Sequence, residues 1–476
     1  MDLSRKLYTD ILTTTVFNFA TRLRGIIFIP VISGTLSVAA FGAYSQLLAI
    51  TSLLAVLFEL GLHGSLIRYA QDGRDTAELY YSLTTFAVVI GGVVAVVVYL
   101  VAIPLSQLTL GGSGFSVVFQ IGAVLVPLRI WGNIASNYFR SDMQVKFFSG
   151  VKTARAYLSI LGVLLVVLLF DYGISGVIGV VVGAELLYVL FLQIIITHRL
   201  GFAHPSFDGF MKYIRYSVPL MTSIIASQIS SRADRILIGF FLGPTAVGLY
   251  TISYQLTTSI TLLQNPITTT FFPEFSRLIE RNKIGECLEY QGQGVRYYAG
   301  LGLPAIGGLY LIGPEIAEIL ATTATAKPSA LLITALSIGM FFSGLDKVHA
   351  VLLVASERTG ILTIIRGIGA TANVTLNILL IPEFGILGAA AATATTYALT
   401  YGTIYYKSWI IFGISFDNSF FLKCALSSVI MVILTDYLDI ENIILILLIA
   451  PICYFSTLRI FNGYKFSEIG VLLNEN

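Results

Sequence analysis

Fourteen apolar stretches, each long enough to cross a bilayer, fill most of this chain and leave it few ways to fold. They run over 11–33, 41–66, 80–103, 116–138, 147–169, 174–197, 217–242, 247–271, 295–313, 329–354, 360–382, 386–411, 421–438 and 442–461. About 20 apolar residues of helix span the hydrocarbon core of a membrane. In lipid a backbone N–H or C=O finds no water, so each stretch must satisfy its own backbone bonds, as a helix does. Only 11% of the 476 residues are charged and the mean hydropathy is +0.86, whereas about a quarter of a soluble domain is charged. The expected fold is an all-α polytopic membrane protein of about 14 transmembrane helices.

Lysine and arginine set the orientation, because basic loops stay on the cytoplasmic side. With the N-terminus inside, 21 of the 28 basic residues fall in or beside cytoplasmic loops. Among them are Arg5, Lys6, Arg68, Arg74, Arg140, Lys146, Lys152, Arg155, Arg199, Lys212, Arg215, Arg277, Arg281 and Lys283. Lys327 falls in an external loop, and six more (Arg22, Arg24, Arg129, Arg232, Arg235 and Lys347) lie within spans. Both termini are expected in the cytoplasm, with the chain in the cell membrane. No small-residue cleavage site follows the first apolar run, which reads as a retained helix rather than a signal peptide. Cys287, Cys424 and Cys453 place no pair in an external loop, which argues against a structural disulfide. No basic run is long enough to suggest nucleic acid as a partner.

The chain is written twice. Leu36-Ser-Val-Ala-Ala-Phe-Gly-Ala-Tyr44 matches Leu242-Gly-Pro-Thr-Ala-Val-Gly-Leu-Tyr250 at an offset of 206 residues. Asp171-Tyr-Gly-Ile-Ser-Gly176 matches Glu383-Phe-Gly-Ile-Leu-Gly388 at an offset of 212. Each copy holds six helices, and an even number returns the chain to the same face. The copies are therefore parallel, related by an axis along the membrane normal. The expected domains are a six-helix bundle over 1–200, a second over 201–412, and two added helices with a cytoplasmic tail over 413–476. Small residues open the last helix of each copy: Gly173, Gly176, Gly179 and Gly183, then Gly385, Gly388 and Ala389 to Ala392. That pattern reads as close helix packing or as a hinge.

Charges inside the spans mark the candidate site. Arginine stays protonated in a protein, and holding one near the bilayer centre costs from about 3 to more than 10 kcal/mol. Such a residue is tolerated where it faces water or an anion. The first helix of each copy carries them: Arg22 and Arg24, then Arg232 and Arg235 with Asp234. Helical spacing aligns Gln228, Ser231, Arg232 and Arg235, and places Arg24 roughly opposite Arg22. Arg129 lies near Asn133 and Asn137, and Asp346 and Lys347 occupy the tenth helix. Together these point to a transporter with a cationic interior and an anionic cargo. The structural alternative is an ion pair, above all for Asp234 with Arg235 or Arg24. Glu59, with His63 one turn on, reads as a proton- or ion-linked switch or as a buried partner for a first-helix arginine. Glu185 is a further polar candidate of the same kind.

Several segments carry a resemblance to a known family. The main one is Ala233-Asp-Arg-Ile-Leu-Ile-Gly-Phe-Phe-Leu-Gly243, running into Val247-Gly-Leu-Tyr-Thr-Ile-Ser-Tyr-Gln-Leu256. With it stand Phe41-Gly-Ala-Tyr44, Leu60-Gly-Leu62, Phe272-Pro-Glu-Phe-Ser-Arg277, Leu353-Val-Ala-Ser-Glu-Arg358 and Pro382-Glu-Phe-Gly-Ile-Leu-Gly-Ala-Ala390. In order and spacing over residues 5–412 the chain resembles the polysaccharide-exporter branch of the multidrug/oligosaccharidyl-lipid/polysaccharide exporter superfamily. The resemblance implies two six-helix bundles forming a V, alternating access to a cationic cleft, and flipping of a lipid-diphosphate-linked oligosaccharide from the inner to the outer leaflet. It also implies contact with membrane lipids and work beside polysaccharide polymerase or glycosyltransferase machinery. On that reading Arg22, Arg24, Arg129, Arg232, Arg235 and Lys347 bind substrate, since guanidinium engages phosphate oxygens in bidentate fashion. Glu59, His63, Asp234 and Asp346 are coupling or ion-pair positions. No cofactor or metal is expected, and a coupling ion, H+ or Na+, would reset the cycle.

Enzyme classes fit poorly. The chain has no G-x-x-x-x-G-K-[ST] phosphate loop, and His63, His198, His204 and His349 show no metal-ligand spacing. A cation-coupled multidrug exporter of the same fold is the alternative. Such exporters favour carboxylates in the cleft, and residues 11–33 contain neither Asp nor Glu. A membrane scaffold would not require arginines on the lead helix of both copies.

Overall fold

A computed structural model describes residues 27–70, 74–141, 145–170, 172–322, 327–440 and 442–463, which are helical nearly throughout. Ten helices among the described residues are long and apolar enough to cross a membrane. The helix ends follow from local chemistry. After α1 (27–35), α2 (Val38–Glu59) is capped by Ser37, whose Oγ accepts from the Ala40 N–H at 3.0 Å. Left-handed Leu60 and Gly61 then separate it from the short α3 (Leu62–Tyr69). Next come α4 (Arg74–Leu100), α5 (Ala102–Leu110), a 3-10 turn over Ser113–Phe115, α6 (Ser116–Gly122) and α7 (Leu125–Ser141). The α4–α5 and α6–α7 interruptions fall just before Pro104 and Pro127, which have no N–H for the preceding turn.

Two long helices, α8 (Val145–Leu169) and α9 (Gly173–Leu200), complete the first copy. In the second, α10 (Met211–Leu242) ends at Gly243, with φ 81°, and Pro244 opens α11 (Pro244–Thr257) where a missing N–H is harmless. A 3-10 turn over Thr258–Leu263 breaks the stretch expected at 247–271 before α12 (Gln264–Glu280). Then follow α13 (Ile284–Ala321), α14 (Ala330–Ala355), α15 (Thr359–Phe412), α16 (Asn418–Tyr437) and α17 (Ile443–Ile460). The stretches expected at 360–382 and 386–411 are two arms of α15, joined at Gly385 with φ 60°.

The two repeated motifs make a reciprocal contact. A Cβ on Gly42 would lie 1.8 Å from the Pro244 carbonyl oxygen, and one on Gly248 would lie 2.3 Å from that of Val38. At the 206-residue offset Pro244 is the counterpart of Val38, and Gly248 of Gly42. Each motif thus touches the other through equivalent positions. Gly173 and Gly385 share a second signature, φ of 58° and 60°. Close packing accounts for Gly388, whose Cβ would meet the Leu380 carbonyl oxygen at 2.2 Å, and for Gly176 against Val166. It does not account for Gly179 and Gly183, which have nothing within 4 Å.

Contacts gather the chain into two compact units, Met1–Thr251 with Leu320–Thr323, and Ile252–Ile319 with Ala324–Asn476. The first takes in α10, beyond the boundary at 200 read from the sequence. The start of α10 is fixed to α3: Ser65 Oγ donates to the Tyr213 carbonyl at 3.0 Å and lies 2.7 Å from Ser217 Oγ. In the second unit α16 and α17 dock on α13. Pro304 leaves the Gly300 carbonyl without its helical donor, and the Tyr454 hydroxyl fills that place at 2.8 Å. Large apolar side chains point outward along α4, α8 and α17; Val93, Leu168 and Ile452 are all more than 60% exposed. In water such surfaces would associate, whereas in lipid they are solvated.

Candidate functional site

Five helices of the first unit bring polar and charged side chains to one cavity of about 380 Å³. They supply Ser52 and Glu59 from α2, Arg129 and Asn133 from α7, Lys152 and Arg155 from α8, Glu185 and Tyr188 from α9, and Gln228 and Arg232 from α10. A smaller cavity of about 110 Å³, reached by Tyr44, Leu48 and Ser159, shares Arg129, Arg155 and Glu185 as its wall with the first. The described lining of the larger cavity holds four cationic side chains against two carboxylates. Even at an effective dielectric of 20, two unit charges 4 Å apart interact by about 4 kcal/mol. The cavity therefore favours an anion.

The three arginines and both carboxylates are held by identifiable partners. Arg129 Nη1 donates to Ser52 Oγ at 2.6 Å and to Thr51 Oγ1 at 2.7 Å, with the Leu48 carbonyl sharing a proton at 3.2 Å. Bonds to a charged group contribute roughly 1.5–3 kcal/mol each, enough together to offset the lower estimates for an arginine in the membrane. Arg155 Nη1 lies 2.8 Å from both carboxylate oxygens of Glu185, and its guanidinium sits 4.7 Å over the ring of Tyr188. Arg232 Nε donates to Gln228 Oε1 at 2.8 Å, one helical turn away. Glu59 is buried, accepting from Asn133 Nδ2 at 2.6 Å with His63 Nδ1 at 2.5 Å.

The site residues expected from the sequence separate accordingly. Arg129, Arg232 and Glu59 come together at the cavity, and His63 backs Glu59. Arg22 and Arg24 lie outside the described residues. Arg235 turns back to donate to the Ser231 carbonyl at 2.7 Å and is not among the lining residues. Asp234 is fully buried, accepting from the Tyr250 hydroxyl and from the Arg235 backbone N–H, both at 2.7 Å. Arg235 Nη1 stands 3.9 Å from it on the same helix, and it is the Tyr250 bond by which Asp234 ties α10 to α11. In the second unit Asp346 pairs with Arg366 at 2.9 Å, and Lys347 beside it is exposed.

Lys152 and Arg155 line the cavity, although the positive-inside pattern places both on the cytoplasmic flank. The signal was their spacing. α8 starts at Val145, which sets both well inside a continuous helix, and residues three apart share a face.

Comparison with known proteins follows the same lines. The sequence pattern of the family described as Polysaccharide biosynthesis protein matches residues 7–279. The probable low-salt glycan biosynthesis flippase Agl15 of Haloferax volcanii is 24% identical over 444 residues, covering 90% of this chain and 89% of that protein. The probable flippase AglR of the same organism is 26% identical over 183 residues, 36% of each chain. Among solved structures, the lipid II flippase MurJ in an inward closed conformation superposes with a TM-score of 0.81 at 15% identity, covering 94% of this chain and 98% of that one. An inward-facing multidrug resistance MATE family transporter of the MOP superfamily gives 0.68 at 12% identity, covering 83% and 94%. At these identities the structures establish a shared fold.

Proposed function

Belonging to the polysaccharide biosynthesis protein family, this chain is, we propose, a flippase that carries a lipid-linked oligosaccharide from the inner to the outer leaflet by alternating access. The observation that carries the reading is the cavity where Arg129, Lys152, Arg155 and Arg232 converge from three helices. A polyprenyl diphosphate presents several anionic oxygens on one small headgroup. Guanidinium matches such oxygens in bidentate geometry and ammonium meets them as a point charge. The diphosphate and first sugars occupy the cavity while the polyprenyl tail stays in lipid. Relatives that carry the name flippase support this reading. Arg22, Arg24, Arg235 and Lys347 belong to the proposal as further cargo contacts. Glu59 with His63 is proposed as the place where a coupling ion acts. The protein works in the cell membrane with both termini in the cytoplasm, beside polymerase or glycosyltransferase machinery.

A multidrug exporter moving cations would need carboxylates open to its cargo. The two at this cavity are engaged by Arg155 and by Asn133 with His63. Deletion followed by lipid extraction tests the choice. Cells without the chain are expected to accumulate lipid-linked oligosaccharide on the inner leaflet and to lose surface glycan. Unchanged glycan with altered tolerance to cationic drugs would replace the flippase by the exporter.

A further inference from the structure

We infer that Glu185 is a built-in counter-anion, which holds Arg155 while the cavity is empty and gives it up to the cargo diphosphate on loading. This rests on the flippase reading and specifies how its cavity exchanges anions. Both oxygens of Glu185 lie 2.8 Å from Arg155 Nη1, and the two residues line both cavities. A carboxylate and a phosphate offer guanidinium the same kind of paired oxygens, so one can stand in for the other. Tyr188 makes the exchange practicable: its ring, 4.7 Å from the guanidinium, keeps Arg155 in place when the carboxylate leaves.

The charged surroundings favour exchange over a permanent pair. Lys152 lies on the same helix as Arg155, Arg129 faces the site from α7 and Arg232 from α10. From α2 come Glu59, already engaged by His63 and Asn133, and Tyr44. Among the described residues neither α4 nor α6 contributes to the lining of either cavity. An arriving diphosphate therefore meets cations on three sides and competes with one carboxylate for Arg155. In the empty protein Glu185 neutralises Arg155, and the return step moves less unbalanced charge.

The experiment uses the purified full chain in nanodiscs, titrated calorimetrically with farnesyl diphosphate, with farnesol as the control for the tail. Glu185→Gln is expected to bind about tenfold tighter, as for removal of one competing charge-assisted bond. Arg155→Gln should weaken binding and Arg155→Lys should restore part of it. If Glu185→Gln fails to insert, Glu185→Asp, whose shorter arm loosens the pair, is read by the same measurements and should bind tighter than wild type. Unchanged or weaker binding with the carboxylate altered, while Arg155→Gln still weakens it, overturns the exchange and leaves the cavity reading standing. No diphosphate binding by wild type and variants that melt normally overturns both.

Discussion

Cells that depend on this chain are expected to lose their surface glycan when Arg129→Glu and Arg155→Glu are combined, even with the protein inserted at its normal level. The double reversal turns four cations and two carboxylates into two cations and four carboxylates around one cavity. Each lost charge-assisted contact is worth roughly 1.5–3 kcal/mol, so two together lower cargo affinity by about a hundredfold or more before repulsion is added. A control separates loss of binding from loss of folding. Arg155→Glu with Glu185→Arg keeps an ion pair between α8 and α9 but moves the guanidinium to the other wall; it should insert normally and transport poorly. Surface glycan by lectin staining, against protein by membrane immunoblot, reads both. Normal glycan in the double reversal would mean that the cargo does not use this cavity.

The second large effect concerns the fold. Gly42→Leu is expected to destabilise the protein by more than about 3 kcal/mol, beyond the usual range for overpacking, and to deplete it from the membrane. The added Cβ would sit 1.8 Å from the Pro244 carbonyl oxygen and 2.9 Å from the Gly248 nitrogen. Both neighbours are backbone atoms, so no side chain can rotate aside and the two helices must part. Gly248→Leu should do the same by the reciprocal contact with Val38. Gly179→Leu is the counterpart, since nothing lies within 4 Å of that position, and it should melt like wild type. Thermal melting of the detergent-solubilised chain distinguishes them; equal melting of all three would contradict the packing.

Much of this fold was legible because lipid simplifies the code. Long apolar runs become helices, and the repeated Phe-Gly-Ala-Tyr and Val-Gly-Leu-Tyr motifs are the ones that bring Gly42 against Gly248. Breaks such as Val101 and the 3-10 turn over Thr258–Leu263 were not legible. An interruption of one to six residues that keeps its apolar side chains hardly alters hydropathy summed over a window of about 20 residues. At the site, Arg129 and Arg232 stood out because each interrupts an apolar run. Lys152 and Arg155 did not, since basic residues near a span end look like cytoplasmic flank under the positive-inside rule. Arg235 shares a helical stripe with Arg232 in sequence, but its guanidinium returns to the Ser231 carbonyl. Spacing gives the face of a Cβ, and a long side chain chooses its own end point.

Transport itself is the most direct test. The purified chain is reconstituted with a fluorescent short-chain polyprenyl-diphosphate oligosaccharide, and dithionite added outside destroys label only in the outer leaflet. Wild-type vesicles are predicted to expose their inner-leaflet label with time, and Arg155→Gln vesicles to do so about tenfold more slowly, in line with one lost charge-assisted contact. Label that stays protected in vesicles holding folded wild-type protein, or equal rates for wild type and Arg155→Gln, would contradict a flippase that works through this cavity.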